Sequence, residues 1–107
     1  GIAAESARRG YRTLALIYEE AQRADVEQAV HGLPGAVDVQ VLDITRPGDF
    51  AFPDDLDVLV NNAGIRLKNL PIEHIPLDEW RLYFEGNFLG HVAMTQRAIP
   101  IMRARCK

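Results

Sequence analysis

Four groups of residues in this sequence have types and spacings suited to chemistry. Asn61-Asn62-Ala63-Gly64 directly follows the apolar run Val58-Leu59-Val60. Two amides and two small residues there would let a flat molecule approach the backbone, although a strand end that merely turns through Asn and Gly has the same composition. Asp43, followed by Ile44 and Thr45, closes a second apolar run. Its carboxylate could accept a hydrogen bond from an exocyclic amino group or could cap the next turn. Asn87 and Gly90 sit in a segment that otherwise favours helix. Each costs several tenths to ~1 kcal/mol relative to Ala, so either close packing or a local role must explain them. Tyr18, Glu19 and Glu20 follow the first apolar run. In nucleotide-binding α/β folds an acid near this point holds ribose hydroxyls; acids also suit the positive end of a helix.

These residues need elements to position them. Residues 2–9 read as a short helix that Gly10 ends in a left-handed conformation. Strands are expected over 12–18, 37–42 and 56–61. The second helix begins at Glu19 or Glu20, ends near Val30 or His31, and is stopped by Gly32-Leu33-Pro34-Gly35. A helical turn is expected around 49–52 and a polar loop over 65–76. Asp78 is the expected N-cap of a long helix over about 79–104, in which Pro100 can introduce a kink. That helix is apolar on more than one side, through Trp80, Leu82, Phe84, Phe88, Leu89, Val92 and Met94. One such face covers a sheet and a second wants a partner. The alternation of helix and strand implies parallel strands, and so an α/β, doubly wound fold. Asp43 and Asn62 then both fall at carboxyl ends of strands, where open α/β sheets bind ligands.

Composition narrows the function. The chain has 107 residues, enough for one domain, and a formal net charge of -3. That charge gives no basic patch for nucleic acid. No apolar run has the ~18 residues of a membrane span, so no membrane partner is expected. The single cysteine, Cys106, forms no internal disulfide and fits a reducing, cytoplasmic setting. His31, His74 and His91 are far apart and form no metal pattern; His91 reads as a helix-surface residue.

The Asn61-Asn62-Ala63-Gly64 run, the Asp43-Ile44-Thr45 run and the N-x-x-G of Asn87 to Gly90 together resemble the short-chain dehydrogenase/reductase family. The resemblance extends over the whole chain, which corresponds to the middle of a typical member: a partial NAD(P)-binding, Rossmann-like domain. It implies that Asn62, Ala63 and Gly64 line the cofactor's ribose and that Asn61 ties neighbouring strands together. It sets Asp43 and Ile44 at the adenine. It gives Asn87 the task of bending the helix and holding a water that relays protons to a catalytic lysine. The family's acid and Arg selector positions are held here by Ile17 and Tyr18, so neither determinant stands in its usual place. Tyr18 remains a candidate cofactor contact, and the nearby acids lean the choice towards NAD over NADP.

Gly1-Ile2 looks like the end of the family's glycine-rich loop, but Gly1 lies too close to Gly10 for that. The phosphate-cradling loop and the first strand are expected upstream. The catalytic Ser and the Tyr-x-x-x-Lys pair are expected downstream, since Tyr11, Tyr18 and Tyr83 have Ala15, Gln22 and Asn87 at the lysine position. By this resemblance the intact protein passes hydride between a nicotinamide and a carbonyl or alcohol carbon of a small molecule. It assembles as a homodimer or homotetramer through the helix around 79–104. The fragment alone is expected to be inactive. A catalytically silent relative that binds nucleotide or a partner remains the alternative. A flavodoxin-like signalling domain would need an acidic cluster near the first strand, which this sequence does not show.

Overall fold

The computed structural model describes residues 1–64 and 69–106, the side chain of Asp49 apart. The chain divides into two compact units, Gly1–Asp43 and Ile44–Lys107.

The first unit is built as its glycines and apolar runs require. Helix α1, Ile2–Arg8, ends at Gly10 with φ 83°. The Gly10 N–H donates to the Ala7 carbonyl and the Tyr11 N–H to the Ser6 carbonyl, the paired bonds of a Schellman cap. Strand β1, Thr13–Ile17, pairs in parallel with β2, Val37–Val41, in the register Thr13 to Val37 and Ile17 to Val41. Between them lie a 3-10 turn, Glu20–Gln22, and helix α2, Arg23–Val30. The unit is therefore α/β with a parallel pair of strands. Its side chains reinforce the frame. Ser6 and Thr13 hydroxyls bond at 2.7 Å, and the Arg23 guanidinium donates to the Val39 carbonyl at 2.9 Å. Gly35 donates to the Ala7 carbonyl at 2.8 Å, and the backbone is so close there that a methyl group would collide with the Tyr11 carbonyl and lie 2.9 Å from the Ala7 Cα.

The second unit is dominated by one helical run. Helix α3, Leu77–Phe84, passes into a π-helical stretch, Glu85–Leu89, and then into α4, Gly90–Arg105, which continues through Pro100. Gly90, Met94 and Ala98 are its buried residues, spaced four apart on one face. Short 3-10 turns occupy Pro47–Asp49 and Ile72–His74. The Arg97 guanidinium donates to the carbonyls of Pro47 and Phe50 and lies 5.0 Å from the centre of the Phe52 ring, so one cation fixes the turn before the expected third strand.

Three expectations need correction. Residues 56–61 form no strand: among the described residues the sheet consists of β1 and β2. A strand exists by virtue of its ladder, and no described residue supplies one to this run; the apolar Val58 and Val60 are 66% and 54% exposed. Asp78 is not the N-cap of α3. Pro76 takes that position with extended backbone, so Asp78 falls in the first turn, 3.6 Å from Arg81. The helical turn foreseen at 49–52 lies earlier, at Pro47–Asp49, where proline starts it. Of the expected loop at 65–76, residues 65–68 lie outside the described residues. The remaining boundaries differ by one or two residues, the ordinary fraying of element ends.

Candidate functional site

The helix carries three polar residues at successive four-residue steps, Asn87, His91 and Thr95. Such spacing puts them in one row along the helix, and each meets the Asn61–Gly64 backbone or side chains in turn. Asn61 Nδ2 donates to Thr95 Oγ1 at 3.0 Å, and that hydroxyl donates to the His91 carbonyl at 2.8 Å. The His91 imidazole Nε2 stands 2.7 Å from the Ala63 carbonyl oxygen. At Gly64 a methyl group would lie 3.0 Å from Asn87 Oδ1. The row 95, 91, 87 thus runs against 61, 63, 64 in opposite chain directions.

The loop itself turns tightly. The Asn62 N–H donates to the Val60 carbonyl at 3.2 Å, a three-residue turn suited to the end of an extended segment. Asn61, Asn62, Ala63 and Gly64 are all exposed. Asn61 fastens this turn to the helix through the Thr95 hydroxyl.

Asn87 lies at the centre of the π-helical stretch, where the Gly90 N–H reaches five residues back to the Glu85 carbonyl. Wider turns of this kind are frequent at functional sites. Asn87 Nδ2 donates to the Tyr83 carbonyl at 2.9 Å, which leaves Oδ1 as the atom nearest Gly64. The weak helix formers read from the sequence thus coincide with a real change of helical pitch. Gly90 answers a second need. A methyl group there would lie 2.7 Å from the Ile44 carbonyl oxygen and 2.8 Å from Ile44 Cγ1. Ile44, expected near adenine, is half-buried and packs on Gly90.

The other expected cofactor contacts, Tyr18 and Asp43, belong to the first unit. Tyr18 is exposed and Asp43 half-buried. The acids beside Tyr18 have local employment. Glu19 is the N-cap of the 3-10 turn and shares a capping box with Gln22, whose side-chain oxygen accepts the N–H groups of Tyr18 at 2.9 Å and Glu19 at 3.1 Å. Glu20 pairs with Arg23, whose hydrogen bond holds the Glu20 carboxyl below its ordinary range. Both acids behind the lean to NAD are thus engaged at a helix start.

His91 and Thr95 were not among the expected site residues. The sequence signal for both is their common four-residue step from Asn87. Among the described residues no group of three His, Cys, Asp or Glu could hold a metal ion, and no helix is long and apolar enough to cross a membrane.

A family model described as short chain dehydrogenase matches residues 1–107. Serine 3-dehydrogenase of Agrobacterium fabrum is 35% identical over 86 residues, covering 78% of this chain and 34% of that protein. NADP-dependent 3-hydroxy acid dehydrogenase of Schizosaccharomyces pombe is 30% identical over 102 residues, 90% of this chain and 38% of that protein. NADPH-dependent 3-dehydrocapnine reductase of Ornithobacterium rhinotracheale is 43% identical over 49 residues, 46% of this chain and 17% of that protein. The chain therefore spans little more than a third of the length of the first two. No solved structure matches the chain.

Proposed function

We infer function from one premise: this chain belongs to the short-chain dehydrogenase family. The intact protein is an NAD(P)-dependent oxidoreductase that moves hydride between a nicotinamide and a carbonyl or alcohol carbon of a small molecule. The observation that carries this is the family match over 1–107. The helix-bound Asn61–Gly64 turn supports it. Asn62, Ala63 and Gly64 present exposed backbone without bulky side chains, a surface that suits a ribose. The nicotinamide, when bound, supplies the hydride chemistry. This chain's residues hold and orient it: Asn62, Ala63 and Gly64 against the ribose, Asp43 and Ile44 towards the adenine, and Tyr18 beside the adenosine ribose. Asn87 positions the water that hands protons to a lysine expected downstream. With Glu19 and Glu20 engaged locally, NAD and NADP stand level, and the relatives named for NADP and NADPH make NADP a full candidate. Residues 1–107 form part of one nucleotide-binding domain, and the exposed Leu82, Phe84, Phe88 and Leu89 suit a homodimer or homotetramer contact. Exposed Cys106 fits a reducing, cytoplasmic setting.

The test uses the full-length protein with NAD+ and NADP+ in turn, against serine, 3-hydroxy acids and simple secondary alcohols. Reduction of the nicotinamide, seen at its near-ultraviolet absorbance, is the expected result. Tight nucleotide binding without turnover on any alcohol or ketone would mark a silent relative instead. Absence of nucleotide binding would refute the reading.

A further inference from the structure

We propose that His91 is a positioning residue for the nucleotide site, its imidazole fixing the backbone of Asn62 to Gly64 by holding the Ala63 carbonyl. The proposal rests on the oxidoreductase reading above.

A carbonyl oxygen can only accept, so His91 must donate from Nε2, which selects the tautomer or the cation that carries a proton there. The contact is short, 2.7 Å, and joins residues 28 apart in sequence. It falls at the centre of a three-point row whose outer members are the Asn61–Thr95 bond and the Asn87–Gly64 approach. The Thr95 hydroxyl also donates to the His91 carbonyl, so the residue that grips Asn61 is tied to the residue that grips Ala63. Residues 61–64 lie in no strand of this chain, and the imidazole reaches their main chain directly at Ala63. His91 holds the middle of the segment proposed to face the ribose, and its own contact is to protein backbone, which makes it a support rather than a catalytic residue.

The expected effect follows from the worth of one such bond. Losing it frees Ala63 to sample other orientations and lowers the share of chains ready to bind. A hydrogen bond of this kind corresponds to about a 3- to 10-fold change in an equilibrium constant. Three variants of the full-length protein separate positioning from bulk stability. His91→Leu removes the donor. His91→Asn keeps polarity but is too short to reach. His91→Gln places an amide N–H near the Nε2 position.

The probe is NADH and, separately, NADPH, titrated by fluorescence, with steady-state kinetics and thermal unfolding on the same samples. His91→Leu and His91→Asn should raise the nucleotide Kd and KM by about 3- to 10-fold, with a smaller change in kcat. His91→Gln should return Kd to within about twofold of the parent. If His91→Leu fails to fold, the Asn and Gln pair gives the same contrast. Parent-like Kd in His91→Asn, or a Gln variant as weak as Asn, would overturn the proposal and leave the oxidoreductase reading standing. A parent protein that binds neither nucleotide would overturn both.

Discussion

In Gly1–Asp43 backbone is fastened to backbone: β1 bonds β2 along a full register, and the cap of α1 and the approach of Gly35 to Ala7 add further main-chain bonds. In Ile44–Lys107 the segment around 47–63 is fastened to side chains: Arg97 holds Pro47 and Phe50, Arg105 holds Asp57 at 2.8 Å, Thr95 holds Asn61 and His91 holds Ala63. All four grips come from one helix. A ladder spreads its restraint over many equivalent bonds, any of which can be lost cheaply. A row of side-chain grips concentrates it, so single substitutions should reach further in the second unit than in the first. The exception in the first unit is where backbone meets backbone with no room for a methyl group.

Gly35 is that place and should give the largest effect on stability. In Gly35→Ala the new methyl collides with the Tyr11 carbonyl and crowds Ala7, none of it a flexible side chain. Overpacking typically costs ~1–3 kcal/mol, occasionally more, and rigid backbone neighbours put this case at the upper end. Urea unfolding of the full-length protein should show a lower midpoint with little change in slope. A midpoint unchanged from the parent would show that the first unit yields where its main-chain bonds say it cannot.

Asn87→Ala should give the largest effect on catalysis. It removes a poor helix former and the bond to Tyr83, so the helix itself should suffer little. A relay or general acid–base contribution is worth ~10²–10⁴-fold, so kcat should fall at least tenfold while nucleotide Kd moves by less than about threefold. Steady-state kinetics with a nucleotide titration decide it. Unchanged kcat would leave Asn87 as the hinge of the π-helical stretch and nothing more.

Arg97→Met sharpens the contrast between grips and ladders. It strands two carbonyl acceptors and removes the cation from the Phe52 ring, while keeping much of the side chain's packing. Hydrogen bonds to a charged group are worth ~1.5–3 kcal/mol, and partial exposure should bring the loss to about 1–2 kcal/mol. Amide exchange should quicken around Phe50 before it quickens in β1 or β2. Equal acceleration in the strands would mean the grips and the ladder fail together.

Glu5 supplies the small effect. Arg9, and then Arg8, hold its carboxyl below the usual carboxylate range through hydrogen bonds at the surface. A carboxyl depressed in the folded state adds stability above its unfolded pKa and loses it as pH falls through the folded value. Glu5→Gln should therefore lower the Tm only slightly at pH 7, and the difference should shrink below pH 4.5. A difference that grows on acidification would contradict that sign.

The sequence showed the first unit more clearly than the second. Gly10, the apolar runs and the Gly32–Gly35 stop sit within the chain they organise, and the observed strands fall inside the expected spans. Residues 56–61 carry an equally good strand pattern, yet pattern supplies no partner, and no ladder forms. Pro76 displaced Asp78 as a cap because a fixed, extended residue ends the loop two places earlier. At the site, Asn87 and Gly90 were legible because poor helix residues in a good helix demand a cause. His91 and Thr95 were not, because a polar residue on a helix is ordinary until its four-residue step from another is counted. Glu19 and Glu20 do not decide the cofactor: acids near a ribose position look selective, yet a cap and an arginine also engage them locally.

The central claim is that Asn62, Ala63 and Gly64, held by the helix row, form part of a nicotinamide nucleotide site. Amide exchange of the full-length protein with and without saturating NADH or NADPH tests it most directly. The expected result is slower exchange at Asn62, Ala63 and Gly64 in the presence of nucleotide. Nucleotide binding that protects other segments and leaves these three amides unchanged would contradict it.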